Sequence, residues 1–179
     1  MYDNITEESP DSLKGSISDD QIISRLWMAK HLKETNIPID RCVILGSWYG
    51  VLPYVLNRDL DIGEMVAVDT EEGCLEVSKK INPTVRHIHR DCNELSYKGA
   101  DCVINPSVNN IKGTKWFKNI PIGCLVLLQT EDIALEKGCP SDIFGMKQKF
   151  PLREYLYEGI LHSQDKDGEF KRSMVIGVK

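Results

Sequence analysis

"CVILGSWYG", Cys42 to Gly50, joins a continuous apolar run to two glycines four positions apart. An unbroken apolar stretch of this length suits a parallel strand buried on both faces. Gly46 at its end lets the backbone turn sharply and approach a ligand with no Cβ in the way. Gly50 stands where a helix would begin, and the free N–H groups of a helix start can bind a carboxylate or phosphate. A plain strand-to-helix turn uses the same glycines, so the spacing alone does not select a ligand. Between the glycines lie Ser47, Trp48 and Tyr49, where a dinucleotide loop would carry a further glycine.

Outward from this stretch the chain alternates between strand and helix patterns. Gly50 to Asn57 reads as a helix, "MVAV" as a second strand closing on Asp69, and "TEEGCLEVSKKI" as a helix. The last has acids in its first turn and lysines in its last, which suits the helix dipole. "VRHIH", "DCVIN" and "CLVLLQ" are three more strands, while the segment from Glu131 to Phe150 mixes helix with loop. "YLYEGILHS" and "EFKRSMVIGVK" are strands around Asp167-Gly168, a strong hairpin signal. Upstream, Ser18 reads as an N-cap with Gln21 completing a capping box, and Ile22, Ile23, Leu26, Trp27 and Ala29 share one helical face as far as Lys33. Residues 1–17 are acidic and polar and read as a flexible arm, leaving 18–179 as one domain. The expected architecture is α/β: a Rossmann-like, doubly wound, mostly parallel sheet with a C-terminal antiparallel hairpin.

In such a sheet ligands sit at the carboxyl ends of the strands. Asp69 follows Gly46 by 23 residues, and a carboxylate there can accept from two vicinal ribose hydroxyls; Asp69 and Thr70 can also simply cap the next helix. Asp91, beside Cys92, stands where a carboxylate can accept from an adenine amino group, or serve as a loop acid. Asn105 ends the fourth strand with an amide that offers both donor and acceptor, and Pro106 stiffens the loop that presents it, with Ser107 following. His87 and His89 share a strand face without a third ligand in view, so they read as structural and no metal is assigned. Trp27 is expected to pack on the sheet, and Trp116 with Phe117 to anchor the segment after the fourth strand. No G-x-S-x-G elbow, Walker lysine or H-x-E with C-x-x-C occurs.

Composition narrows the classes further. The 22 basic residues are outnumbered by 27 acidic ones, for a formal charge of −5, which argues against broad nucleic-acid binding. Lys112, Lys115 and Lys118 read as a solvated face, with a basic rim beside the site as the other reading. The six cysteines form no C-x-x-C motif and several lie in apolar runs, as expected of free thiols in a reducing compartment. The polar start does not resemble a signal peptide, and no apolar run approaches the ~20 residues that span a bilayer. The expectation is a cytoplasmic protein without a membrane partner.

Taken in order, these features resemble the class I S-adenosylmethionine-dependent methyltransferases. "VILGSWYG" matches the place of their glycine-rich first motif, "VAVD" the second, "HRDCNEL" the third and "DCVINPS" the fourth; the final hairpin is similar to the family's reversed last strand. The resemblance implies S-adenosylmethionine as cofactor, held by Gly46, Ser47, Trp48, Gly50, Asp69, Thr70, Asp91, Cys92 and Asn105. It also implies that Asn105, Pro106 and Ser107 orient an acceptor of unassigned identity for in-line displacement at the sulfonium methyl. Trp48 replaces the middle glycine and Ile44 the usual acid of the first motif, and the fourth lacks the second proline and aromatic of enzymes that methylate nitrogen. "INPSVNNI" is also similar to a motif of small phage-encoded methyltransferase-like proteins, with Asn109, Asn110 and Ile111 in place of its acid, histidine and methionine. Trp48 and Tyr49 either offer aromatic faces to the sulfonium or pack under the loop. Three other readings are compatible with the residues: a non-catalytic binding or regulatory module on the same fold, an NAD(P)-dependent oxidoreductase, and cofactor breakdown without methyl transfer. The oxidoreductase needs G-x-G-x-x-G, and positions 46–51 read G-S-W-Y-G-V.

Overall fold

The computed structural model describes residues 9–133, 137–165 and 168–179. Seven strands form one sheet: β1 (Ile39–Leu45), β2 (Ile62–Asp69), β3 (Arg86–His89), β4 (Cys102–Asn105), β5 (Leu125–Glu131), β6 (Glu154–Asp165) and β7 (Gly168–Val178). Their spatial order is β3-β2-β1-β4-β5-β7-β6. The first five are parallel, and β7 enters antiparallel between β5 and β6. Strand order reverses between β1 and β4, which places the crevice of a doubly wound sheet beside the Gly46 loop. The doubly wound, mostly parallel sheet with its closing hairpin is thus the expected one. Asp167 of the hairpin turn lies outside the described residues.

Period-two alternation splits the strand side chains between two cores. Val43, Leu45, Val66, Val68, Val103 and Val126 face one side, where Trp116 and Phe117 of α5 (Lys115–Asn119) meet Phe150, which follows α6 (Ile143–Lys149). The expected anchoring by Trp116 and Phe117 is realised there, with both rings buried and 5.0 and 5.3 Å from Phe150. Cys42, Ile44, Ala67, Ile104, Leu127 and Ile176 face the other side, covered by α2 (Asp19–Glu34) and α3 (Val51–Asp59). The remaining helix of the alternation, α4 (Glu72–Ile81), lies between β2 and β3 in sequence. Among the described residues no helix is long and apolar enough to cross a membrane.

Two expectations about the N-terminal part are corrected, and a helix lies within the expected arm. Within the expected arm, Ser9–Ser16 form a helix, α1; residues 1–8 lie outside the described residues. Ser18 stands at the N-cap of α2 without capping it: its hydroxyl donates to Gly15 O and Asp20 Oδ1 in the turn that follows α1, and Gln21 completes no capping box. The buried face of α2 is Ser24, Arg25, Met28, Ala29 and Leu32, whereas Ile23 is 51% exposed and Leu26 37%. The helix is rotated because Ser24 hydrogen-bonds Gln129 of β5 (2.9–3.1 Å), a buried polar pairing that periodicity of apolar residues cannot register. Trp27 is half-buried as expected, its indole N–H donating to Tyr157 Oη (3.2 Å) on β6.

Candidate functional site

The loop after β1 is built from three residues in left-handed conformation: Gly46 (φ 57°), Trp48 (φ 51°) and Gly50 (φ 81°). For a residue with a Cβ this conformation costs about 1–2 kcal/mol. Trp48 therefore keeps the backbone shape of a glycine at the position where the middle glycine is missing. What holds it there is Asp69, at the end of β2. The Trp48 N–H donates to Asp69 Oδ2 at 2.7 Å and the Glu71 N–H to Oδ1 at 3.0 Å, so one carboxylate clamps the loop after β1 to the loop after β2. Bonds to an ionised acceptor are stronger than neutral ones, enough to offset the strain.

The two glycines have different duties. Gly46 is exposed, and a Cβ built there would meet only Ile111 Cδ1 at 3.9 Å, so it faces open space. Gly50 is buried against α4, where a Cβ would collide with Ser78 and Asn82; the Asn82 amide donates to Gly50 O at 2.9 Å. Gly50 thus packs a helix start onto its neighbour. Ser47 is buried too, its N–H donating to Val68 O (3.1 Å) and its hydroxyl lacking a partner among the described residues.

At the carboxyl ends of β1, β2 and β3 lies a cleft of about 230 Å³, lined by Gly46, Asp69, Thr70, Asp91, Cys92 and Ile111, among others. Asp91 caps a short 3-10 turn (Cys92–Glu94): its Oδ1 accepts from the Asn93 N–H (2.8 Å) and Nδ2 (3.0 Å). Asn93 in turn donates to Lys112 O (3.1 Å) and accepts from the Trp116 N–H (3.2 Å), which ties the cleft floor to the loop after β4. The Cys92 thiol is pushed up to about 12 by burial and by the Asp91 charge, so it stays protonated and is not a nucleophile at neutral pH. Arg90 and Asn93, which have no role assigned from sequence, line the same cleft, as do Asn110 and Lys112. Of these, Lys112 belonged to the trio read as a solvated face; Lys115 and Lys118 are exposed on α5.

Asn105, Pro106 and Ser107 lie outside that lining. Asn105 is fully buried and its Oδ1 accepts from the Ser107 N–H (3.1 Å), while its Nδ2 has no partner among the described residues. Pro106 is buried and Ser107 half-buried. His87 reaches Ser78 (2.8 Å) and His89 reaches Thr70 O (2.9 Å), so the two rings are engaged in helix and loop contacts.

A second cavity of about 500 Å³ opens beyond Trp48, toward the start of α2 and the ends of β5 and β7. Trp48 lines this cavity and Gly46 the first, so the loop borders both spaces. Below the second is a buried ionic group: Arg172 of β7 pairs with Asp20 of α2 (2.6 Å) and with Glu131, its cross-strand neighbour on β5. Arg25, buried beside them, has its pKa lowered to about 10, first by burial and then by the Arg172 charge.

An adenosyl cofactor fits the first cleft by two observations. Gly46 leaves the approach to the loop open. An ionised carboxylate has about four acceptor positions, of which Asp69 uses two on backbone N–H groups, so two remain for vicinal hydroxyls.

No protein-family model matches the sequence, and no curated protein sequence matches it. Solved structures do. A Thermoplasma acidophilum protein aligns with a TM-score of 0.68 at 14% identity, over 88% of this chain and 88% of its own. The N-methyltransferase NodS of Bradyrhizobium japonicum, in complex with S-adenosyl-L-homocysteine, gives 0.64 at 11% identity over 93% and 97%. Magnesium protoporphyrin IX methyltransferase of Synechocystis, with S-adenosylmethionine bound, gives 0.61 at 11% over 88% and 82%. Strand order, the reversed β7 and these alignments agree: the chain has the fold of the class I S-adenosylmethionine-dependent methyltransferases.

Proposed function

We propose that this chain is an S-adenosylmethionine-dependent methyltransferase. The observation that carries the reading is the convergence of Gly46, Asp69, Thr70, Asp91 and Cys92 on one cleft at the carboxyl ends of three parallel strands. When bound, S-adenosylmethionine supplies a methyl group already activated on a sulfonium. Asp69 would accept from the ribose hydroxyls while clamping the loop, and Asp91 and the Cys92 region would hold the adenine end. The open face of Gly46 admits the cofactor past the loop. Since the methyl is already activated, the protein needs mainly to align an acceptor and exclude water, which accounts for a site without a dyad of acid and base.

Calorimetry with S-adenosyl-L-homocysteine tests this. Micromolar binding, weakened at least tenfold by Asp69→Ala, is expected. Saturable binding of NADH with none of the homocysteine would overturn it in favour of an oxidoreductase. A second reading, a binding module that has kept the fold without the transfer activity, is favoured by the full burial of Asn105. It is separated from the first by incubating the protein with labelled cofactor and cell extract. Cofactor binding with no label on protein, nucleic acid or small-molecule fractions would support the module.

A further inference from the structure

The cavity beyond Trp48 has a charge layout of its own. In the Asp20–Arg172–Glu131 group the cation is the deepest member: the Arg172 side chain is 2% exposed, that of Asp20 12% and that of Glu131 27%. Asp19, also on the lining, is exposed. The cavity therefore shows its carboxylates to an incoming molecule and keeps its guanidinium behind them. Two polar atoms are left over in the same wall. Gln21 Oε1, an acceptor, and Arg172 Nε are buried without a hydrogen-bond partner among the described residues. The remaining walls are apolar or aromatic, from Trp48, Ile133 and Phe170. The carboxylates and the aromatic and apolar walls favour a cation with N–H donors on an apolar body.

We propose that this cavity binds an amine, primary or secondary, whose apolar part lies against Trp48 and whose nitrogen meets the acidic wall. The assignment rests on the methyltransferase reading in one respect: it makes the amine the acceptor. In that transfer the bound ammonium first gives one proton to water at the open mouth. The freed nitrogen lone pair then forms the N–CH3 bond as the C–S bond breaks, and the electron pair of that bond stays on sulfur. Trp48, on the lining of this cavity, stands two residues along the loop from Gly46 in the first cleft.

The test uses the full chain and three probes of similar shape: 2-phenylethylamine, 2-phenylethanol and 3-phenylpropionate. Each is titrated while the indole N–H resonances of the tryptophans are followed, with Trp48→Phe to assign its signal. The amine is expected to shift the Trp48 signal saturably, to leave that of buried Trp116 in place, and to bind at least tenfold tighter than the alcohol. Asp19→Asn, an exposed change that breaks no buried pair, should weaken the amine about threefold or more and leave the alcohol unchanged. Equal or tighter binding of the carboxylate, or an amine that leaves Trp48 unmoved, overturns the proposal. Repeating the titration with S-adenosyl-L-homocysteine separates the two readings. Saturation by amine with no binding of the homocysteine sinks the methyltransferase reading alone, and the reverse result sinks only the amine site.

Discussion

The two spaces bordered by the Gly46–Gly50 loop are made differently. The first cleft is assembled from strand ends that follow one another along the chain, and its charged groups are held by backbone N–H groups within one or two loops. The second draws Asp20, Glu131 and Arg172 from segments more than a hundred residues apart at the extremes, and stabilises the two carboxylates around one buried guanidinium. A site of the first kind tolerates sequence drift as long as the turn geometry survives. A site of the second kind depends on each charge keeping its partner, because a lone buried charge is costly.

The largest effect expected from breaking this contrast is Arg172→Met. Removing this guanidinium takes from Asp20 and Glu131 their ion-pair partner, with only the neighbouring Arg25 charge left beside them, and a loss of about 3 kcal/mol is expected in urea unfolding. Affinity for S-adenosyl-L-homocysteine per folded molecule should be little changed. A large loss of that affinity would show that the two cavities are not independent. Next comes Gly50→Ala, which adds a Cβ where φ is 81° and where Ser78 and Asn82 already pack. About 2–3 kcal/mol of destabilisation is expected by the same measurement. The unaltered stability of such a variant would mean that the α3–α4 contact is looser than it looks.

Asp69→Asn tests the clamp itself. An amide keeps one acceptor oxygen but loses the charge, so about 1.5 kcal/mol should go from stability. Adding Trp48→Gly should restore part of this, since glycine has no cost at φ 51°; two independent, additive losses would argue that Asp69 does not hold the loop. The smallest effect, read at its onset just above pH 9, concerns pH. Burial raises the Cys92 and Cys124 thiols from 9.0 to about 12, so the folded state holds these protons more tightly than the unfolded chain. Their contribution is complete below pH 9 and is lost as pH rises toward 12, so the urea midpoint should begin to fall above pH 9. A midpoint flat to pH 11 would show both thiols to be solvated.

The legibility of the molecule follows the same division. The order of strands and helices was written in short apolar runs and glycine breaks, because a strand buried on both faces must be apolar throughout. Asp69 and Asp91 could be placed at the cleft because Asp69 ends its strand and Asp91 stands two residues past its own. The face of α2 could not: Ile23 and Leu26 have the apolar spacing, yet Ser24 and Arg25 are the buried residues. Gln129, which bonds Ser24, and Glu131, whose charge favours Arg25, are remote in sequence, and nothing local marks them. The role of Asn93 escaped notice for a similar reason, since it acts through a loop far along the chain.

"CVILGSWYG" by itself determined that a parallel strand ends in a tight loop at the crevice of a doubly wound sheet. It also set the one irregularity, a tryptophan in place of a glycine. Which way that loop serves was decided only by the tertiary structure. Asp69 supplies the hydrogen bond that keeps Trp48 in a glycine's conformation, and the ion pairs of Asp20, Arg172 and Glu131 shape the cavity that Trp48 lines. Backbone turns are encoded by the residues that make them, whereas a buried charge is bearable only once its distant partners have arrived.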